Sequence, residues 1–177
     1  IDDLRVLALN NRRRVDVYFS AHCGERLHEA FGYCFTTPVG SSYPPILNPH
    51  IIAPGDMLSV DGPGGTIEVT VFLQNHGDID SLGFRIGNVA YSCDLSAIPP
   101  TSDAALANLD LWIVDGLRYA PHPSHFSVAD ALSWIERFQP KCAVITNMHS
   151  DLDYEVLRQS LPEGVIPAYD GMRIDVG

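Results

Sequence analysis

The chain has 177 residues, 46% of them hydrophobic and 19% charged, which is enough apolar material for a buried core and too much for a disordered polymer. Its formal net charge of -11 repels a polyanion, so binding of duplex nucleic acid by charge is disfavoured; a small phosphate ester stays open, because bound divalent cations would reverse the local field. No apolar run approaches the roughly 20 residues of a bilayer-spanning helix, and the start Ile1-Asp2-Asp3-Leu4 is no secretory leader, so a soluble, cytoplasmic chain without membrane contact is expected.

Ile1 to Leu9 carries apolar residues at helical spacing but begins without a cap, as if in mid-element. Val15 to Phe19 alternates as a strand, Ser20 can cap a helix after it, and Gly24 to Phe31 fits that helix. Residues 36 to 56, with Pro44-Pro45 and Pro49, predict a long surface excursion. Strands are then predicted over 57–60, 66–73, 82–86 and 89–93, with Gly87-Asn88 as the turn of a hairpin.

After Asp94 the pattern becomes alternating strand and helix. Residues 109–114 and 143–146 predict buried strands, 128–138 and 154–161 helices, and 165–168 and 172–176 closing strands. Hairpins followed by βα units imply an α/β structure with a mixed sheet. With no repeat and no linker, residues 1–177 are expected to be one domain.

Four strand exits deliver chemistry-bearing side chains: His76, Asp94, His125 and His149. A rigid strand end that presents an imidazole or a carboxylate is how distant sequence positions supply one metal site. A lone His such as His76 is more often a turn residue, and Asp94 alone more often a cap; the coincidence of four favours a site. Asp94 can bridge two cations through its two oxygens. Asp115, ending the next strand, is expected to support a ligand by hydrogen bonding, as are Asp151 near His149 and Asp170 in the Asp170-Gly171 turn. His122-Pro123-Ser124-His125 precedes a helix that Ser127 can cap, leaving His125 free to act on a phosphoryl group. Cys23, Cys34, Cys93 and Cys142 are scattered and read as reduced and structural, Cys93 being notable for adjoining Asp94.

Gln74-Asn75-His76, Tyr91-Ser92-Cys93-Asp94, His122-Pro123-Ser124-His125 and Tyr169-Asp170-Gly171-Met172, in this order, resemble the later part of a metallo-β-lactamase-fold hydrolase. The resemblance is to the branch containing the cyclic phosphodiesterase of phosphonate breakdown. It implies part of a four-layer αββα sandwich with mixed sheets, two divalent metal ions (Zn or Mn), His76 and Asp94 as metal ligands and His125 as the residue acting on phosphorus. The last ligand position of the relatives falls on Asn147 by ungapped matching; His149, two residues on, is expected to serve because an amide is a poor ligand. The hallmark His-x-His-x-Asp-His loop, which in relatives precedes a segment resembling Ile1-Asp2-Asp3-Leu4-Arg5, is not in this sequence, so the chain is expected to be the C-terminal portion of a longer hydrolase.

The expected function is dinuclear metal-dependent hydrolysis of small cyclic or nucleotide-like phosphodiesters by the intact protein. The alternatives are a non-catalytic binding or scaffold module on the same fold, and a thioester or lactone hydrolase, since fold does not set substrate. The expected partner is a small-molecule phosphate ester, with a homo-oligomer left open.

Overall fold

The computed structural model describes residues 1–176 and divides into two compact units, residues 1–53 and residues 54 onward. In the first unit α1 (Leu4–Asn11) leads into β1 (Val15–Phe19), α2 (Ala21–Phe35) and β2 (Leu47–Ile51). Helix α1 stops where Arg12 turns left-handed at φ 49° and returns its N–H to Ala8 and Leu9. Ser20 caps α2 by accepting from the Cys23 N–H at 3.3 Å. A Cβ on Gly24 would overlap the Phe19 ring, so glycine is what lets α2 lie this close to β1. Ala8, Phe19, Cys34, Phe35, Ile46 and Leu47 form the core of this unit.

Strand β2 corrects the expectation of an unbroken loop over residues 36–56. It pairs in parallel with β1, from Val15 opposite Leu47 to Phe19 opposite Ile51, and Ile46, Leu47 and Ile52 are buried. Proline disguised it: Pro49 lacks a ladder N–H, which an outer strand of a two-stranded pair tolerates.

The second unit is a seven-stranded sheet in strict chain order: β3 (Met57–Gly62), β4 (Gly65–His76), β5 (Ile79–Ile86), β6 (Val89–Ser92), β7 (Leu111–Asp115), β8 (Cys142–Thr146) and β9 (Val165–Pro167). Neighbours are antiparallel from β3 to β6 and parallel from β6 to β9. The parallel steps need crossovers. These are a short 3-10 turn with α3 (Asp103–Leu106), then α4 (Val128–Phe138), then α5 (Tyr154–Ser160). The core centres on Phe72, Leu95, Trp112, Val114, Phe126 and Ile145, with Ala131 and Ile135 supplying the apolar stripe of α4. Ser127 and Asp130 close a capping box at the start of α4, and Gln139 ends it at φ 49°.

The mixed α/β architecture expected from the sequence is present. One element is not: residues 172–176 follow the single turn closed by Met172 N–H to Tyr169 O at 3.0 Å and, among the described residues, pair with no strand. Asp170-Gly171 is therefore not the tip of a hairpin.

Candidate metal and phosphoester site

Strand direction assembles the site. β4 is antiparallel to β5 and β5 to β6, so β4 runs with β6, and β6 runs with β7 and β8. The C-terminal ends of β4, β6, β7 and β8 therefore lie along one edge of the sheet, where they deliver His76, Asp94, Asp115 and Asn147. Carboxyl ends of strands are where open α/β sheets place ligands.

His76 is the last residue of β4 and precedes a two-residue turn whose first position, Gly77, has φ 63°. A Cβ on Gly77 would stand 3.0 Å from the Ser124 side chain, so this turn sits directly against the loop that carries His125. The His76 Nδ1 donates to the Ser124 carbonyl at 2.6 Å. A carbonyl only accepts, so the proton is on Nδ1 and the neutral ring leaves the Nε2 lone pair free.

His125 lies edge-to-face with His76, ring centres 4.7 Å apart. Its Nδ1 donates to Asp115 Oδ2 at 2.7 Å, which again leaves Nε2 free. The loop is closed on itself: Arg118 donates to the carbonyls of Ala120 and Pro121, Leu117 N–H bonds Phe126 O, and buried Phe126 stacks on Trp134. A third imidazole, His122, has its ring centre 5.1 Å from that of His125 and accepts the Ser124 N–H on Nδ1 at 3.3 Å.

Asp94 and Asp115 are carboxylates of opposite character. The Asp94 side chain is 59% exposed, with Oδ1 3.8 Å from His125 Nδ1, on a backbone turned left-handed at φ 57°. Asp115 is fully buried and accepts from His125, from Asn147 Nδ2 at 3.2 Å and from the Leu95 N–H at 3.5 Å. Burial pushes the Asp115 carboxyl above the usual range, against the pull of the bonds from His125 and Asn147. Burial also raises the Cys93 thiol, and it raises the Tyr91 hydroxyl to about 12, so neither is a ready anion near neutral pH.

The structure gathers His76, Asp94, Asp115, His125 and Asn147, and it pairs the His149 side chain with Asp151. The His149 Nδ1 lies 2.6 Å from Asp151 Oδ1 in an exposed pair that draws the Asp151 carboxyl below its ordinary value, while Asp170 is exposed in the turn after β9. Asn147, left-handed at φ 58°, is the residue whose side chain reaches Asp115 and comes within 3.4 Å of His125 Nδ1. Gln74 and Ser81, which the sequence does not single out by themselves, hydrogen-bond the backbone around Asp94; the available signal was a polar Gln74 two residues before His76 in an otherwise apolar strand.

The chemistry of these groups fits a divalent cation, with the His76 Nε2 uncommitted and the Asp94 carboxylate exposed at one sheet edge. Donor atoms of Asp94, Asp115 and His125 lie within 4.8 Å of one another. Asp115 is already committed to His125 and Asn147, whereas the Asp94 carboxylate is met by the Cys93 thiol and by His125 Nδ1, each at 3.8 Å. Asp94 is thus the free carboxylate and Asp115 the one that orients an imidazole, a division of labour common around metals.

A crystal structure of a diphosphatase from the PhnP family superposes with a TM-score of 0.84 at 28% identity, over 97% of this chain and 63% of that one. Zinc-bound PqqB from Methylobacterium extorquens shares the fold, with a TM-score of 0.68 at 15% identity over 96% of this chain and 68% of that one. An octanoyltransferase of Porphyromonas gingivalis (strain ATCC BAA-308 / W83) is 27% identical over 179 residues, 97% of this chain and 34% of that protein. The chain thus spans about a third of that protein and under two thirds of the diphosphatase. Residues 1–148 match the beta-lactamase superfamily domain, and together with the likeness to the PhnP-family structure this shows that the chain belongs to that superfamily and resembles its PhnP branch.

Proposed function

We propose that the intact protein is a metal-dependent hydrolase of phosphodiesters, with His76 and Asp94 among the ligands of two divalent cations and His125 acting on the phosphoryl group. The carrying observation is the Asp115–His125 pair: a buried carboxylate holds one imidazole by Nδ1 at 2.7 Å, beside a second imidazole and a free carboxylate at the same sheet edge. The likeness to a PhnP-family diphosphatase supports phosphoester chemistry in particular.

The mechanism rests on proton positions. With Nδ1–H committed to Asp115, His125 exchanges protons only through Nε2: neutral, it accepts a hydrogen bond there, and protonated, it donates to an oxygen leaving phosphorus. Asp115 keeps the ring in that orientation and stabilises its charged form, as an orienting carboxylate does for a catalytic imidazole. The Ser124 carbonyl holds the His76 proton on Nδ1, which leaves Nε2 as the ligand atom. The bound cations, Zn or Mn, would supply an activated water and neutralise phosphoryl oxygens. Bis(p-nitrophenyl) phosphate hydrolysis by the complete protein, against a thioester and a lactone as controls, tests the substrate class; faster turnover of either control would reassign it.

A second reading, a binding module on the same fold, is favoured by Asn147, whose amide is spent on Asp115 where the resemblance implies a ligand imidazole. Elemental analysis after dialysis separates the two. Retained metal supports the hydrolase, and its absence from the complete protein supports the binding module.

A further inference from the structure

We propose that Gln74 and Ser81 are positioning residues that hold the left-handed backbone of Asp94 and so aim its carboxylate into the site. The inference rests on the reading of Asp94 as a cation ligand and goes beyond it in saying what keeps Asp94 there.

The pairing of β6 with β7 ends at Ser92 opposite Val114, so Asp94 lies beyond the end of the ladder. At φ 57° it has a conformation that L-residues adopt at a cost and keep only when neighbours over-determine it. The neighbours here are side chains. Ser81 Oγ donates to the Asp94 carbonyl at 2.7 Å, and Gln74 Nε2 donates both to the Cys93 carbonyl and to Ser81 Oγ, each at 3.1 Å. The Leu95 N–H on the other side reaches Asp115 at 3.5 Å. Both peptide carbonyls flanking the turn are therefore gripped from β4 and β5, where Gln74 and Ser81 stand directly opposite one another.

Three further facts single out this pair. Gln74 is fully buried, and among the described residues its Oε1 has no hydrogen-bond partner, an uncompensated desolvation that an apolar side chain would not carry. The orientation of its amide is set by chemistry, because turning it over would put Oε1 against the Cys93 carbonyl, one acceptor facing another. Gly83 completes the fit: a Cβ there would overlap the Phe72 ring and Gln74 Oε1, so the strand opposite is cut back to make room. Gln74 also lies two residues before His76 on β4, and Gly77 N–H bonds Ser96 Oγ at 3.1 Å, so one brace ties both His76 and Asp94 to the same strand pair.

The test uses the complete protein that contains this chain, isotope-labelled, with the Asp94 13Cα and 13Cβ shifts as a metal-free readout of its left-handed conformation. Ser81→Ala removes one hydroxyl at a half-buried position, and Gln74→Met keeps the volume and removes both the donor and the orphan oxygen. Both are expected to move the Asp94 shifts out of the left-handed range and to weaken Mn2+ binding, measured by titration calorimetry, at least about tenfold, within the range for residues that support a metal ligand. Ser81→Thr, which keeps the hydroxyl, is expected to restore both. Unchanged Asp94 shifts in Ser81→Ala and Gln74→Met, with or without a fall in melting temperature, would overturn the proposal and leave the pair an ordinary structural role. If the complete protein takes up no Mn2+, the cation reading of Asp94 fails, and the shift comparison alone still decides the brace.

Discussion

The exits of β6 and β8 make the same left-handed turn, Asp94 at φ 57° and Asn147 at φ 58°, yet they are built differently. After β8 the backbone holds itself: Gly116 N–H bonds Thr146 O at 3.1 Å and His149 N–H bonds Leu117 O at 2.8 Å, while the Asn147 amide points back onto Asp115. After β6 side chains do the holding, and the Asp94 carboxylate is left free and largely exposed. A backbone-held corner tolerates exchange of its side chain. A side-chain-held corner depends on residues elsewhere in the sheet, and it is the corner that leaves a carboxylate free for a ligand.

The strongest way to break this comparison is Asp94→Asn in the complete protein. The amide keeps the shape and removes the charge, so phosphodiester hydrolysis should fall by several orders of magnitude with loss of bound metal. Activity and metal content near parental levels would show that Asp94 is not the free ligand. Next in size is His125→Ala, expected to reduce turnover by roughly 10²–10⁴-fold, the range for a positioned acid or base, with metal content unchanged. Metal loss in that variant would make His125 a ligand.

Asn147→His sharpens the contrast from the other side. Its corner is secured by the backbone, so the imidazole should be accommodated and Mn2+ or Zn2+ affinity should rise by about tenfold or more, read by calorimetry. Unchanged or weaker binding would mean that this exit does not face the cation. The smallest expected effect concerns Asp115. Its folded-state carboxyl titrates above its unfolded value of about 3.9, so the ionised form costs stability above the folded pKa, and the cost disappears below the unfolded one. In the metal-free protein Asp115→Asn should therefore be as stable as the parent or more so near neutral pH, and the difference should close as pH falls toward about 4. A parent more stable than the variant near pH 7, by denaturant titration, would show that the bonds from His125 and Asn147 outweigh burial.

Most of the sheet could be read from the chain because its signals are local. β1 and α4 span the predicted residues, and the Gly87-Asn88 hairpin and the βα alternation are where periodicity and turn chemistry put them. β2 escaped because Pro49 erased its pattern, and the strand expected over 172–176 failed because alternation alone does not supply a partner. The candidate site divides the same way. The positions of His76, Asp94 and His125 at strand and loop ends are legible in the chain, whereas the turning of the Asn147 side chain toward Asp115 and of His149 toward Asp151 is a matter of two residues of backbone direction.

What the sequence by itself determined was the kind of protein: an acidic α/β chain whose His and Asp residues come after apolar strands, in an order that resembles one hydrolase family. Those properties are carried by residue type and spacing, so they survive without coordinates. What only the tertiary structure decided was the partnership of those residues. That Asp115 is buried and committed to His125, that Asp94 is free, and that Gln74 and Ser81 grip the turn between them are consequences of strand direction and register, which bring together positions 7 to 32 residues apart. Hydrogen bonds of that span leave no periodic trace in the chain, because each is satisfied by a residue whose neighbours in sequence serve a different strand.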